Sequence, residues 1–538
     1  MRTLSLVIAS TILMGAAPPA ADDYPALVTI YKELRDLREL KAPEGSAGLP
    51  AATFDAREKK LAGLRSRLDA IPAGGWSRAQ KIDYALVRAR WNGLDFEHRV
   101  LRPWKRDPGF YLSRIVRIPY VALPLRADAV AGFRAQLQSV PGILQTAKAN
   151  LTEGATELVK TALRDLAQSD GVENDQPLRK PQPAGILGWY DVLAREIGAH
   201  HPDLAADAAR ARDAVKGFDA WLKENQGRMT RPAGVGRENY DWYLRNVKLM
   251  PFDAVDCLRI GHRELYRSLA FLKFEENKNR NVPKLDPAPS DEDYKKRIGD
   301  ADQHVRSFTR EAGILTIPDG VGELATGVPW LMRPSGKRNF WEEVQYRDPR
   351  PDHVHAVIPG HRFDGWLAAR DTRPIRGDYG DQGRVEGWGF YLEEMYLQAG
   401  LLDQRPKTRE LFYIFQIGRA VRNEAEVRMH LNEWTIEQAV KYMVDNCPFM
   451  DPDVARVDAE IYLRRPGNGV GYQMGKIQID QLVADRALVL GDKFNLKEFH
   501  DQFLATGRLP VSLIRWEMTG LDDEVKALGV VGKATSEN

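Results

Sequence analysis

A chain of 538 residues, 43% hydrophobic and 9% aromatic, can bury one large core or two to three ordinary ones. Its 77 basic and 75 acidic residues leave a net charge of +2 with no basic tail or charged block, which removes the electrostatic case for nucleic acid. At the N-terminus Arg2 precedes an apolar run from Leu4 to Met14, and small residues lead to Ala20 and Ala21. This pattern predicts a cleavable signal peptide over residues 1–21 and an exported mature chain, periplasmic or secreted. The run is too short for a membrane anchor, which takes roughly 20 apolar residues. No cysteine near the cleavage position offers a point for lipid attachment, and no later apolar run is long enough to span.

Beyond the leader, helical spacing dominates. Thr53 is placed to cap a helix with Leu61, Leu64, Leu68 and Ile71 on one face. Ser77 is placed to cap the next, with Ile82, Leu86, Ala89 and Leu94 inward, after a turn at Pro72–Gly75. Similar periodicity predicts helices around Val130–Leu137, Leu204–Leu222 and Phe252–Phe274, the last opened by Pro251. Segments 171–185 and 277–289 read as Pro-rich loops, and Ser290 begins a new helix with acids in its first turn. Thr316–Arg350 is irregular, and its Trp330–Met332 and Phe340–Val344 pieces read as short strands. The expectation is a mainly α, large multi-helix fold with a few short strands. An N-terminal helical region over 22–290 joins a C-terminal region over 291–538 in one continuous fold. Cys257 and Cys447 could pair in an oxidising compartment or stay as two buried thiols, and their spacing is not that of a Cys metal site.

The chemistry concentrates after residue 352. His353, His355 and His361 fall within nine residues, and Glu386 follows on a helix-like segment with Trp388, Tyr391 and Glu393. Imidazoles and a carboxylate are the ligands zinc takes, and such a group suits a divalent ion. Single histidines are more often hydrogen-bonded core groups, so spacing alone leaves both readings open. His355 and His361 are six positions apart, about 120° out of register on a regular helix. Pro359 and Gly360 between them allow the distortion that would turn both rings to one ion. His353 and His355 alternate as on a strand, so one could face the ion and the other an acid.

The motifs resemble those of a bacterial family of uncharacterised proteins, DUF885, whose members look like zinc peptidases of the gluzincin type. That family shows His-Glu-Ala-x-Pro-Gly-His where this chain has His355-Ala356-Val357-Ile358-Pro359-Gly360-His361. It shows Glu-Gly-Trp-Ala-x-Tyr-x-Glu where this chain runs from Glu386 to Glu393. Arg419, Arg422 and His430, the Pro466–Gly475 element with Tyr472, Phe499-His500-Asp501 and Gly507–Pro510 match later motifs.

The resemblance implies a gluzincin-like architecture with a deep cleft, and one zinc ion on His355, His361 and Glu386. It implies Tyr472 and His430 as donors to the oxyanion of a tetrahedral intermediate. Ala356 stands where the family carries the Glu that deprotonates the metal-bound water, a loss worth roughly 10²–10⁴-fold. The base would then be relocated, with Glu393, Asp364, Glu426 and His353 as candidates. Arg362 follows His361 where the family has another His, and favours an anionic substrate group. The expected function is metal-dependent hydrolysis of a peptide or amide bond, on a small peptide or other small anionic substrate. A metal-dependent lyase or isomerase using the ion as a Lewis acid is the alternative, and a non-catalytic relative is the third. No Gly-x-Ser-x-Gly elbow or phosphate-binding loop points elsewhere.

Overall fold

The computed structural model describes residues 23–42, 48–168, 183–331 and 336–530. The predicted signal peptide and most of the 171–185 loop lie outside them. Among the described residues the fold is mainly helical. These residues form no strand, and the only sheet-like pairing among them is an isolated bridge between Ala155 and Arg231.

Helix α1 runs Arg78–Phe96 and begins as its sequence dictates. Ser77 and Gln80 form a reciprocal capping box that satisfies two free N–H groups. Helices α2 (Val130–Asn150) and α3 (Ala205–Asn225) pack together in a core that draws only on residues between Leu49 and Met229. Helix α4 (Ala254–Lys278) starts at a second capping box, Asp253 with Asp256. Helix α5 (Asp291–Glu311) starts at Ser290, with Asp291, Glu292 and Asp293 in its first turn. The earlier helix starts at Ala51, so Thr53 lies inside it and does not cap it.

Two expected strands are corrected. Phe340–Gln345 is helical because Asn339 and Glu342 cap it reciprocally, a local signal stronger than its aromatic content. Trp330 and Leu331 form no strand: the Leu331 N–H donates to the Tyr346 hydroxyl at 2.8 Å, and Trp330 packs on the same ring. Met332 lies outside the described residues.

The C-terminal half supplies the layer that holds the candidate site. After a wide π turn at His353–Val357 come α6 (His361–Ala368), α7 (Gln382–Ala399), α8 (Pro406–His430), α9 (Pro452–Arg464), α10 (Gly469–Leu490) and α11 (Leu496–Thr506). Helix α8 is buried along nearly its whole length, with α4 on one side and α10 on another. Helices α7 and α10 cross closely enough that a Cβ on Gly475 would stand 2.1 Å from the Gly383 carbonyl oxygen. The main core draws at once on Leu27–Leu94 and on Phe340–Leu528, so the two halves share one interior. Cys257 and Cys447 are both buried and free. Burial pushes the Cys447 thiol up to about 12, which leaves it an inert core group. No helix among the described residues is long and apolar enough to cross a membrane.

Candidate metal centre

The wide turn presents His355, the start of α6 presents His361, and the second turn of α7 presents Glu386. The two histidines are not on one distorted helix. The turn stops at Val357, Pro359 and Gly360 break the chain, and a new helix begins at His361. A break re-aims the second ring more freely than a kink would. One potential ligand atom from each of the three residues lies within 4.8 Å of the other two. Glu386 Oε2 is 3.4 Å from His355 Nε2 and 3.2 Å from His361 Nε2, and the rings stand edge to face with centroids 4.6 Å apart. Ligands about 2.0–2.1 Å from a tetrahedral zinc ion sit about 3.3 Å from one another, so both spacings fit a shared ion.

The donors are held from behind. Glu393 Oε1 lies 2.7 Å from His355 Nδ1, off the ring N–H axis, as an ion pair rather than a straight hydrogen bond. Glu393 is pinned in turn by Gln416 at 3.1 Å and Arg419 at 3.3 Å. Gln382, one turn before Glu386, donates to its Oε1 at 2.7 Å. Gly389 lets the imidazole lie against α7, since a Cβ there would meet the His355 ring at 2.7 Å. Burial alone would raise the Glu386 carboxyl, but hydrogen bonds and charge from His355 and His361 hold it well below the carboxylate range. His355 is driven down by burial and Arg419, yet Glu386 and Glu393 outweigh them and raise it. The His361 side chain is 26% exposed, which opens the group to solvent on one side.

Tyr472 stands beside this group. Its ring is nearly parallel to that of His355, centroids 6.3 Å apart, with Arg419 and Arg422 packed over it. It lies in the first turn of α10 and not in a loop. The Glu426 carboxylate accepts from Gly467, Gly469 and Val470 and so converts the glycine run into a helix start. Burial and the nearby Glu386 charge raise the Tyr472 hydroxyl, so it stays a neutral donor.

Several expected residues sit elsewhere. His430 is fully buried, with Nε2 donating to the Tyr462 carbonyl at 3.0 Å and the ring stacked on Tyr240, and burial lowers it to about 4. That environment is structural. Glu393 touches the far nitrogen of His355 and has no exposed side-chain surface, so it positions the ring and is not placed to meet a substrate. His353 turns to Asp302 at 3.0 Å because the segment is helical and not alternating. Asp364 is held by Arg384 and Arg508, and Glu426 by Tyr240 and the loop amides. His500 donates to the Ile314 carbonyl and accepts from Tyr391. Sequence reasoning missed Gln382, legible as a polar residue four before Glu386. Two cavities, of about 990 Å³ beside Arg464 and about 420 Å³ beside Arg373, are lined by none of the three grouped residues.

The molecule is thus an all-helical protein carrying two imidazoles and a carboxylate converged at one point. The model of the family described as "Bacterial protein of unknown function (DUF885)" matches residues 46–273 and 353–518, and the chain belongs to that family. No curated protein matches it in sequence. A solved structure from Shewanella oneidensis, titled "a putative lipoprotein of unknown function", aligns with TM-score 0.68 at 17% identity, over 93% of this chain and all of that one. One from Colwellia psychrerythraea with a similar title aligns with TM-score 0.67 at 15% identity, over 92% of this chain and 98% of that one. At these identities the likeness establishes the fold.

Proposed function

We propose that the protein is an exported, zinc-dependent hydrolase of peptide or amide bonds. The observation that carries this reading is the spacing of the Glu386 carboxylate from His355 Nε2 and His361 Nε2, 3.4 and 3.2 Å. His355, His361 and Glu386 would hold the ion, which supplies an acidified water and a polarising charge at the scissile carbonyl. Glu393 fixes the ring of His355, as a carboxylate behind a metal-bound imidazole does. Tyr472 offers a neutral hydroxyl toward the charge that develops on the carbonyl oxygen. The exposed Arg362, next to His361, favours a substrate with an anionic group. The N-terminal leader pattern supports export, as do relatives of the same fold titled lipoproteins.

The test is a fluorogenic peptide mixture offered to zinc-loaded protein. Turnover that a chelator abolishes and zinc restores is expected; turnover indifferent to the chelator would contradict the reading. A second reading, a lyase or isomerase using the ion as a Lewis acid, is favoured by Ala356, which can take no proton from water. Product formation without uptake of oxygen from labelled water would select it.

A further inference from the structure

The inference rests on the hydrolytic reading of the centre. Hydrolysis needs a group that takes a proton from the attacking water. The acids around the centre are mostly committed. Glu393 faces the back of His355, Asp364 is shared by Arg384 and Arg508, and Glu426 caps α10. Asp458 is bound by Arg422 at 2.8 Å, and Asp302 by His353 and Arg306.

Asp352 is different. It is 7% exposed, and its Oδ2 accepts from Gln345 at 2.6 Å. The cation paired with it, Arg419, stands off at 3.9 Å. It ends the short helix Arg350–Asp352 and leads straight into the wide turn, so Ala356 follows about one revolution later. A methyl group placed on Gly327 would stand 3.8 Å from Asp352 Oδ2 and 4.0 Å from Ala356 Cβ. The carboxylate and Ala356 therefore both lie against Gly327, on an exposed loop. The charges of His355 and His361 both pull the Asp352 carboxyl down, against the larger effect of its burial.

We propose that Asp352 is the proton-accepting carboxylate of this centre, acting from the turn before Ala356. As the water oxygen bonds to the carbonyl carbon, Asp352 takes its proton, and the carbonyl electron pair moves onto the oxygen facing Tyr472. The C–N bond then breaks. Asp352 returns the proton to the departing nitrogen, leaving a carboxylic acid, an amine and an ionised Asp352. Burial raises the Asp352 carboxyl against the pull of His355 and Arg419, which suits a group that must hold a proton briefly.

The experiment compares zinc-loaded wild type, Asp352→Asn, Asp352→Glu and the double variant Asp352→Asn with Ala356→Glu. Each is assayed on the fluorogenic peptide mixture, and zinc affinity is read by chelator competition. Asp352→Asn should lower kcat about 100-fold or more, with KM and zinc affinity little changed. The double variant should recover a large part of that loss, because its new carboxylate starts from Ala356, which lies against the same Gly327 as Asp352. Should Asp352→Asn not fold, Asp352→Glu keeps the charge and should still lower kcat about tenfold through misplacement. Wild-type kcat in both single variants overturns the proposal, as does zinc affinity falling in step with activity. A folded, zinc-bound double variant with no recovery overturns it too. Wild type without chelator-sensitive turnover would sink the hydrolase reading itself, whereas active wild type beside equally active variants would sink only the role of Asp352.

Discussion

Besides His98 against Arg57 and His353 against Asp302, the buried histidines form two contrasting kinds. His430 and His500 face neutral partners: the Tyr462 carbonyl for one, the Ile314 carbonyl and the Tyr391 hydroxyl for the other. Burial dominates both rings and lowers each to about 4, so they stay uncharged at neutral pH. His355 is as deeply buried, yet it meets carboxylates on both nitrogens, Glu386 on one and Glu393 on the other. Its balance runs the opposite way, upward. Depth therefore does not separate the two kinds; the atoms opposite the ring nitrogens do. A neutral acceptor fixes an imidazole as a structural strut. A carboxylate on each side, with His361 nearby, gives His355 the surroundings that the proposed zinc site requires.

The contrast between the two kinds is tested most forcefully at His355 itself. His355→Ala should weaken zinc binding by more than about 100-fold and remove chelator-sensitive turnover, while His430→Gln leaves zinc affinity near wild type. Chelator competition on folded protein measures both. Next comes the glycine beneath the ring. Gly389→Ala puts a Cβ within 2.7 Å of the imidazole, and displacing the ring should cost about 10–100-fold in affinity. Glu393→Gln keeps the shape but removes the charge behind His355, and should lower affinity about tenfold with little change in melting temperature.

The structural pair gives an effect of a different kind, on folding stability against pH and not on zinc affinity. Above pH 6.5, His500 is neutral whether the chain is folded or not, and it contributes no slope. As pH falls below that, the unfolded chain gains a proton that the folded core refuses until about pH 4. Stability is therefore lost across that window, on the order of 3 kcal/mol for this residue. His500→Phe should be less stable at pH 7 and show a flatter decline toward pH 4.5. Urea melts at several pH values check it, and an unchanged slope would count against the assignment.

The same contrast explains what the sequence made legible. The convergence of His355, His361 and Glu386 was legible because the three residues fall in two short motifs whose residue types suit a metal site. Ser77 and Ser290 were visible because caps act over three residues. His430 could not be placed, because its partner is a backbone carbonyl on another helix, brought there only by tertiary packing. Glu393 was expected as a displaced base; two helical turns put it on the face of Glu386, but only the packed position of His355 decided that it stands behind the ring. Phe340–Val344 reads as a strand in the sequence, although Asn339 and Glu342 carry the capping signal that makes Phe340–Gln345 helical. The Pro359–Gly360 step was expected to distort one helix and instead separates two.

Zinc X-ray absorption on the zinc-loaded full chain tests the central claim most directly. The account requires one ion per chain with two imidazole nitrogens at about 2.0–2.1 Å and oxygen completing the shell. Failure to retain zinc after dialysis, or a shell with sulfur or without imidazole, would contradict it.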